Sequence, residues 1–327
     1  MPTLESTMER SVLKPPSARV SDAPARAKLQ AMLLEQMPLS ANVDPRLREA
    51  LEHLLENPGS LSRPRLAMRT AMAYGLAEKQ ACDLAVALEY FHTASLVFDD
   101  LPCMDDAAQR RNVACVHLAF GESQAILAAL ALVNRAYALL WRTIASGPGS
   151  RLSTAADYVE ENLGTEGLLN GQSLDLNYGS LPHDGETTER IAYGKTVSLI
   201  RLSLVLPAIL GDAGDTEVHL LERVARYWGF AYQVLDDLKD VLESSGETGK
   251  TGGRDAVLDR PNVSLSIGTE PAIRRLTQFI RIGDRSLMRL LRERPELVFL
   301  EELRNDLERQ LASLQARYDF EIERGRA

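Results

Sequence analysis

From Glu217 to Leu242 the chain reads EVHLLERVARYWGFAYQVLDDLKDVL, with no proline and with apolar side chains recurring at every third or fourth position. That spacing matches the 3.6-residue turn of an α-helix and not the two-residue alternation of a strand. A helix this long carries an apolar stripe that only other long helices can cover, so it commits the chain to a helical assembly. The partners are present. The same period runs through DPRLREALEHLLEN from Asp44, KQACDLAVALEYFHTASLVF from Lys79, AILAALALVNRAYALLW from Ala125 and EPAIRRLTQFIRIGDRSLMRLLRE from Glu270. No convincing alternating strand is found. The ambiguous LIRLSLVLPAIL from Leu199 reads as a core helix kinked at Pro207, because helices flank it.

With 327 residues, 45% of them apolar, the chain can bury one large core. The expectation is a single all-α domain of about ten helices over residues 26–327, punctuated at ENPGS, SGPGS, LPHDGE and SSGETGKTGGRD. Residues 1–25 are polar and proline-rich, lack the apolar core of a signal peptide, and are expected to form a disordered arm. The Ala125 stretch is interrupted by Asn134 and Arg135 and reads as a buried core helix, too short to span a bilayer. A net charge of -9 argues against non-specific nucleic-acid binding. Cys82, Cys103 and Cys115 are odd in number and lack zinc-ligand spacing, which predicts reduced thiols in a cytoplasmic protein.

Two acidic clusters interrupt the helical pattern. FDDLPCMDDAAQRR, Phe98 to Arg111, holds four aspartates within eight residues, and GFAYQVLDDLKD, Gly229 to Asp240, holds Asp236, Asp237 and Asp240. One acidic cluster beside arginines is ordinarily a solvated helix face. Two of them, each ending an apolar helix, call for more, because gathered carboxylates repel unless a cation sits among them. Asp236 and Asp240 are four residues apart and share one helix face. Asp99 and Asp105 would be about 120° out of register on a continuous helix. Pro102 is therefore expected to bulge or break the helix and bring Asp105 round. Oxygen-only ligands suit Mg2+ rather than zinc, and Mg2+ shares its shell with phosphate oxygens and water. Cations suited to a diphosphate stand near both clusters: Arg110 and Arg111, Lys195 in YGKTVSLIR, and Lys250.

At these motifs the sequence resembles the all-trans polyprenyl (isoprenyl) diphosphate synthases, over about residues 25 to 325, and geranylgeranyl diphosphate synthases most of all. DDLPCMD at Asp99 to Asp105 and DDLKD at Asp236 to Asp240 carry the resemblance. SRPRLAM around Arg63, FHTASLVF, the Arg110–Arg111 pair, GQSLDL at Gly171 to Leu176, GKT at Gly194 to Thr196, YQV and TGK follow in the same order. The resemblance implies a single helical domain of the isoprenoid synthase type around a central cavity, and a homodimer. It implies condensation of isopentenyl diphosphate with an allylic diphosphate, the released diphosphate taking the proton. Asp99, Asp105 and Asp236 would then be the principal ligands of three Mg2+ ions, supported by Asp100, Asp237 and Asp240. Arg110, Lys195 and Lys250 would bind the allylic diphosphate, Thr196 and Gln233 would face the allylic carbon, and Gln172 and Asp175 would complete the polar wall.

A second anion site, for isopentenyl diphosphate, is implied at Arg63, His92 and Arg111, together with a lysine that this chain lacks: Gly59 is followed by Ser60. Asn112 also replaces the usual glycine after the arginines, and Arg260 stands where a late lysine is common. One turn before Asp99 the chain has the small residues Ala94 and Ser95, and bulk returns at Tyr90 and Phe91. In the family an aromatic residue at the place of Ala94 stops growth at fifteen carbons, so its absence favours the twenty-carbon product. The alternatives are a farnesyl diphosphate synthase, a terpene synthase on the same scaffold, which Ser60 keeps open, and a non-catalytic subunit, which two intact aspartate motifs argue against.

Overall fold

The computed structural model describes residues 23–242 and 260–325. Lys250 and all of the expected N-terminal arm except residues 23–25 lie outside the described residues. In chain order the helices are α1 (Ala23–Gln36), α2 (Pro45–Glu56), α3 (Ser62–Ala73), α4 (Glu78–Asp99), α5 (Val116–Phe120), α6 (Glu122–Ala145), α7 (Leu152–Leu163), α8 (Leu168–Leu176), α9 (Gly185–Ala192), α10 (Ser198–Leu210), α11 (Asp215–Leu242), α12 (Val263–Ile267), α13 (Thr269–Glu293) and α14 (Leu300–Glu323). The fold is all-α. Twelve of these helices have eight or more residues, slightly more than the sequence resolves, because α8 and α9 are too short for a helical period to register.

Two long helices organise the core. α4 packs on α6 and α3, and α11 packs on α10 and α13. Leu84 and Leu88 of α4, Leu132, Leu139 and Leu140 of α6, Leu202 and Leu206 of α10, and Leu221 and Leu235 of α11 are fully buried. Because α4 and α11 each place an aspartate motif at the end of a buried stripe, the packing that covers their leucines also fixes where those carboxylates stand. Local signals set the ends: Asp44 caps α2 by accepting from the Arg46 and Leu47 amides at 3.0 and 3.2 Å, with Pro45 in the first turn.

Four departures from expectation have physical causes. Pro207 lies in the last turn of α10, where a proline interrupts little, and the irregular segment is instead the π turn Tyr193–Val197 just before α10. A two-stranded antiparallel hairpin pairs β1 (Gln109–Arg110) with β2 (Val113–Ala114); strands of two residues are too short to show alternation. Its turn residues Arg111 and Asn112 have φ of 55° and 66°, which explains how asparagine serves where glycine is usual. α6 is not wholly buried: Ala125, Ala128, Leu132 and Leu139 face the core while Ile126, Leu127, Leu130 and Trp141 are exposed. By length and composition α6, α4 and the stretch Gly185–Leu210 are long and apolar enough to cross a membrane, correcting the shorter reading of the Ala125 stretch; the other two are mostly buried among neighbouring helices.

Glycine sets one close approach that matters for chemistry. α8 crosses the π turn so tightly that a Cβ on Gly171 would lie 2.3 Å from the Lys195 amide nitrogen and 2.7 Å from the Gly194 Cα. Both partners are backbone. GQSLDL and GKT are therefore pressed together, which carries Asp175 to Lys195.

Candidate active site

α4 ends at Asp99, and the chain breaks there rather than bulging. The Asp105 amide donates to the Asp99 carbonyl at 2.9 Å and the Ala107 amide to the Asp100 carbonyl at 3.2 Å, folding the DDLPCMD segment back on the helix end. Asp99, Asp105 and Asp175 then share two cations. Lys195 Nζ is 2.8 Å from Asp175 Oδ2 and 3.8 Å from Asp99 Oδ2. Arg260 pairs with Asp105, reaches Asp175 Oδ2 at 3.6 Å, and donates to the carbonyls of Met104 and Asp175 at 3.3 Å. Sequence reading noted Arg260 only as a departure from pattern, yet it joins α8 to the first aspartate motif. Burial pushes the Asp99 carboxyl up to about 6; Lys195 opposes this, while Asp105 and Asp175 add to it. Burial pulls Lys195 down, but Asp99 and Asp175 outweigh it and leave its ammonium more firmly protonated than usual.

The second motif connects to the first through the π turn. Thr196, next to Lys195, donates its hydroxyl to Gln233 Oε1 at 2.6 Å, and Gln233 Nε2 donates to Asp237 Oδ1 at 2.8 Å. Asp237 Oδ2 in turn accepts the Val263 amide at 2.8 Å, ahead of which Asn262 donates to the Asp237 carbonyl at 3.1 Å. Asp237 is buried. Both of its oxygens serve the protein, so the structure holds it as a clamp between α11 and α12 rather than facing it as a ligand, contrary to the sequence expectation. Asp236, about 100° round α11 from Asp237, is exposed and Asp240 is half-buried, and among the described residues Asp240 Oδ2 is buried with no hydrogen-bond partner. Gln172 Nε2 is likewise buried without a partner.

The basic residues divide into two groups. Arg110 makes a bidentate pair with Asp100, its Nε 2.8 and 2.9 Å and its Nη2 2.6 Å from the carboxylate oxygens. Asp100 is thereby engaged by a cation, and Arg110 by an anion, where sequence reading gave the first to metal and the second to diphosphate. Arg63, His92 and Arg111 gather farther back along α4, His92 lying seven residues before Asp99 and so on nearly the same helix face. Arg63 Nη1 is 3.2 Å from His92 Nε2. Arginine can only donate, so Nε2 accepts and the ring is neutral with its proton on Nδ1. Burial and then the charges of Arg63, Arg111 and Arg110 hold His92 well below the usual histidine range, so it stays neutral and offers one N–H.

Beneath this basic group lies a residue that sequence reading missed. Glu89, three residues before His92 on α4, is 2% exposed, and burial pushes it up to about 7 although Arg111 and Arg63 pull the other way. A lone glutamate inside an apolar helical run was the available signal. The folded state therefore binds this proton more tightly than the unfolded chain, and the stability Glu89 contributes is full below pH about 4.5 and is lost as pH rises through about 7. Glu89→Gln is expected to abolish that slope, a differential on the order of 3 kcal/mol. Thermal melts of both proteins at pH 5 and pH 8 check it; parallel pH dependence in the two would contradict the assignment.

The sequence and the fold both have known counterparts. The polyprenyl synthetase family profile matches residues 44–285. The chain belongs to the polyprenyl synthetase family. A chloroplastic geranylgeranyl pyrophosphate synthase from Capsicum annuum is 38% identical over 69% of this chain and 62% of its own length. Geranylgeranyl pyrophosphate synthase 7 from Arabidopsis thaliana is 37% identical over 69% of this chain and 65% of its own length. The chain thus spans under two thirds of those two relatives. The crystal structure of a Helicobacter pylori geranyltransferase with magnesium and isoprenyl diphosphate superposes with a TM-score of 0.74 at 26% identity, covering 93% of this chain and 99% of that one.

Among the described residues, no three Asp, Glu, His or Cys side chains come close enough together to hold a metal alone. The donor set nonetheless fits magnesium that shares its shell with a diphosphate. Every candidate ligand is a carboxylate, and among the described residues Asp240 keeps a buried oxygen without a hydrogen-bond partner. A separate cavity of about 310 Å³ opens behind α8 and the π turn, beside Leu174, Tyr193 and Phe230, and none of the candidate side chains lines it.

Proposed function

We propose that this chain is a Mg2+-dependent short-chain trans-prenyltransferase that condenses isopentenyl diphosphate with an allylic diphosphate and releases geranylgeranyl diphosphate. The observation that carries the reading is the link between the two aspartate motifs: Asp99 to Lys195, and Thr196 to Gln233 one turn from Asp236. Relatives named geranylgeranyl pyrophosphate synthase at 36–38% identity support the same reaction.

In that reaction the allylic C–O bond breaks and its electron pair leaves with diphosphate. The double bond of isopentenyl diphosphate then supplies the electrons for the new C–C bond, and the released diphosphate takes the proton lost. Magnesium, as three ions with diphosphate bound, would supply positive charge to the departing oxygens, held by Asp99, Asp105, Asp236 and Asp240. Lys195 and Arg260, already aimed into the cluster, would exchange carboxylate partners for phosphate oxygens. Lys250 is proposed for the same diphosphate from its place in the TGK motif. The Thr196–Gln233–Asp237 chain orients the Gln233 amide and leaves oxygen lone pairs of Thr196 and Gln233 to face positive charge on the allylic carbon. Arg63, His92 and Arg111 would take isopentenyl diphosphate about two turns before Asp99 on nearly the same face of α4, so that both substrates share one cavity.

Radiolabelled isopentenyl diphosphate with Mg2+ and farnesyl diphosphate tests the reaction class. Incorporation of label into an extended diphosphate supports it; ionisation of the allylic substrate without incorporation identifies a terpene synthase instead.

A homodimer joined through α6 is part of the proposal, because Ile126, Leu127, Leu130 and Trp141 form an exposed apolar face that a second copy would bury. Leu130→Asp is expected to convert a dimer to a monomer in sedimentation. An unchanged dimer would move the interface elsewhere. A cytoplasmic location is also proposed, from the odd number and spacing of the cysteines in the sequence alone.

A further inference from the structure

Arg26 stands in the first turn of α1, where the helix dipole disfavours a cation. Its Nη2 donates to the Pro58 carbonyl at 3.4 Å and the Gly59 carbonyl at 3.3 Å, and among the described residues its guanidinium meets no carboxylate. The same loop is held from its other side by Arg111, whose Nη1 donates to the Asn57 carbonyl at 3.0 Å and whose Nη2 would lie 2.7 Å from a Cβ on Gly59. Two guanidinia therefore clasp one short loop. Ser60, the next residue, offers only a hydroxyl 3.1 Å from that of Ser62.

α1 is anchored well enough to hold Arg26 there. Leu29 and Leu33 are buried, Gln30 Nε2 donates to the Glu56 carbonyl at 3.0 Å, and the Tyr90 hydroxyl donates to the Leu33 carbonyl at 2.5 Å. On the inner side, Arg63 and Arg111 share the buried Glu89 carboxylate, and the Asp100 carboxylate near Arg111 is taken up by Arg110, so among the described residues the pocket carries an excess of positive charge that suits a polyanion. We infer that Arg26 supplies the cation that Ser60 does not, and binds the diphosphate of isopentenyl diphosphate at the outer edge of the Arg63–His92–Arg111 group. The inference rests on reading that group as the isopentenyl diphosphate site. An exposed guanidinium resting on two neutral carbonyls loses little on turning to a diphosphate, and gains a charged partner whose oxygens match its fork.

Steady-state kinetics of the full chain with Mg2+, varying isopentenyl diphosphate and farnesyl diphosphate separately, test this. Arg26→Ala is expected to raise KM for isopentenyl diphosphate about tenfold, the loss of one charged hydrogen-bond partner, and to leave kcat and the allylic KM within about twofold. Arg26→Gln keeps N–H donors for the Pro58 and Gly59 carbonyls but has no charge, and is expected to match Ala; a wild-type KM in the Gln variant makes Arg26 a loop brace and overturns the inference. Arg26→Lys, which keeps the charge but not the fork, is expected to fall between Ala and wild type. Ser60→Lys should lower KM for isopentenyl diphosphate more than for the allylic partner, and should restore affinity in the Arg26→Ala background. If Arg111→Ala raises that KM and Arg26→Ala does not, the inference fails while the site stands. If neither raises it, the site itself is misassigned.

Discussion

Asp99→Ala and Asp236→Ala are each expected to lower kcat roughly a thousandfold or more, with circular dichroism and melting temperature near wild type. The argument is electrostatic. Burial, and then Asp105 and Asp175, raise the proton affinity of Asp99, so its charge is a strain on the unliganded fold and not a support for it. Asp236 is exposed at the end of α11 and packs little. Removing either deletes a site for cations while leaving the leucine core untouched. Asp237→Ala is the internal contrast, because both of its oxygens hold protein groups, the Val263 amide and the Gln233 amide. Its loss leaves those buried donors without partners, at about 1–3 kcal/mol. A melting temperature lowered only in the Asp237 variant, and turnover abolished in the other two, would separate ligand from clamp. Near-normal turnover in the Asp99 variant would remove it from the metal site.

Ala94→Phe is expected to change the principal product from twenty carbons to fifteen. Ala94 is buried on α4, and one helical turn of about 5.4 Å matches the extended length of one isoprene unit. Of the two bulky candidates deeper along α4, Tyr90 is turned toward α1, where its hydroxyl meets the Leu33 carbonyl. Phe91 is the floor. Its ring meets Tyr137 edge-to-face at 4.9 Å, and Tyr137 stacks on Trp141 of the same helix, so an aromatic cluster between α4 and α6 would close a tail pocket there. Phe91→Ala should accordingly lengthen the product, although it also opens a void costing about 3–5 kcal/mol. Chain lengths resolved by mass for the wild type and both variants decide the point. A wild type that stops at fifteen carbons would place the floor elsewhere.

The helices and the two motifs were legible because both signals are local. A 3.6-residue period over more than twenty residues, as in α11, has no other stable reading, and an Asp99–Asp105 spacing that no continuous helix brings together forces a break near Pro102. What the sequence hid were pairings across the fold. Nothing in DDLPCMDDAAQRR says that Arg110 turns back onto Asp100, because the hairpin that carries it back is made of strands only two residues long. Asp236 and Asp237 are equivalent as letters; the helical rotation of about 100° between them turns one outward and the other into α12. Arg260 and Glu89 escaped for the same reason, since each acquires its meaning from elements distant in sequence, Asp105 and Asp175 for the first, Arg63 and Arg111 for the second.

The most direct measurement is the mass and retention of the product formed from isopentenyl diphosphate and farnesyl diphosphate by the purified chain, with Mg2+ and with chelator. Geranylgeranyl diphosphate as the main product, absent when the metal is chelated, is the predicted result. Failure to join the two substrates in the presence of Mg2+ would contradict the proposed function.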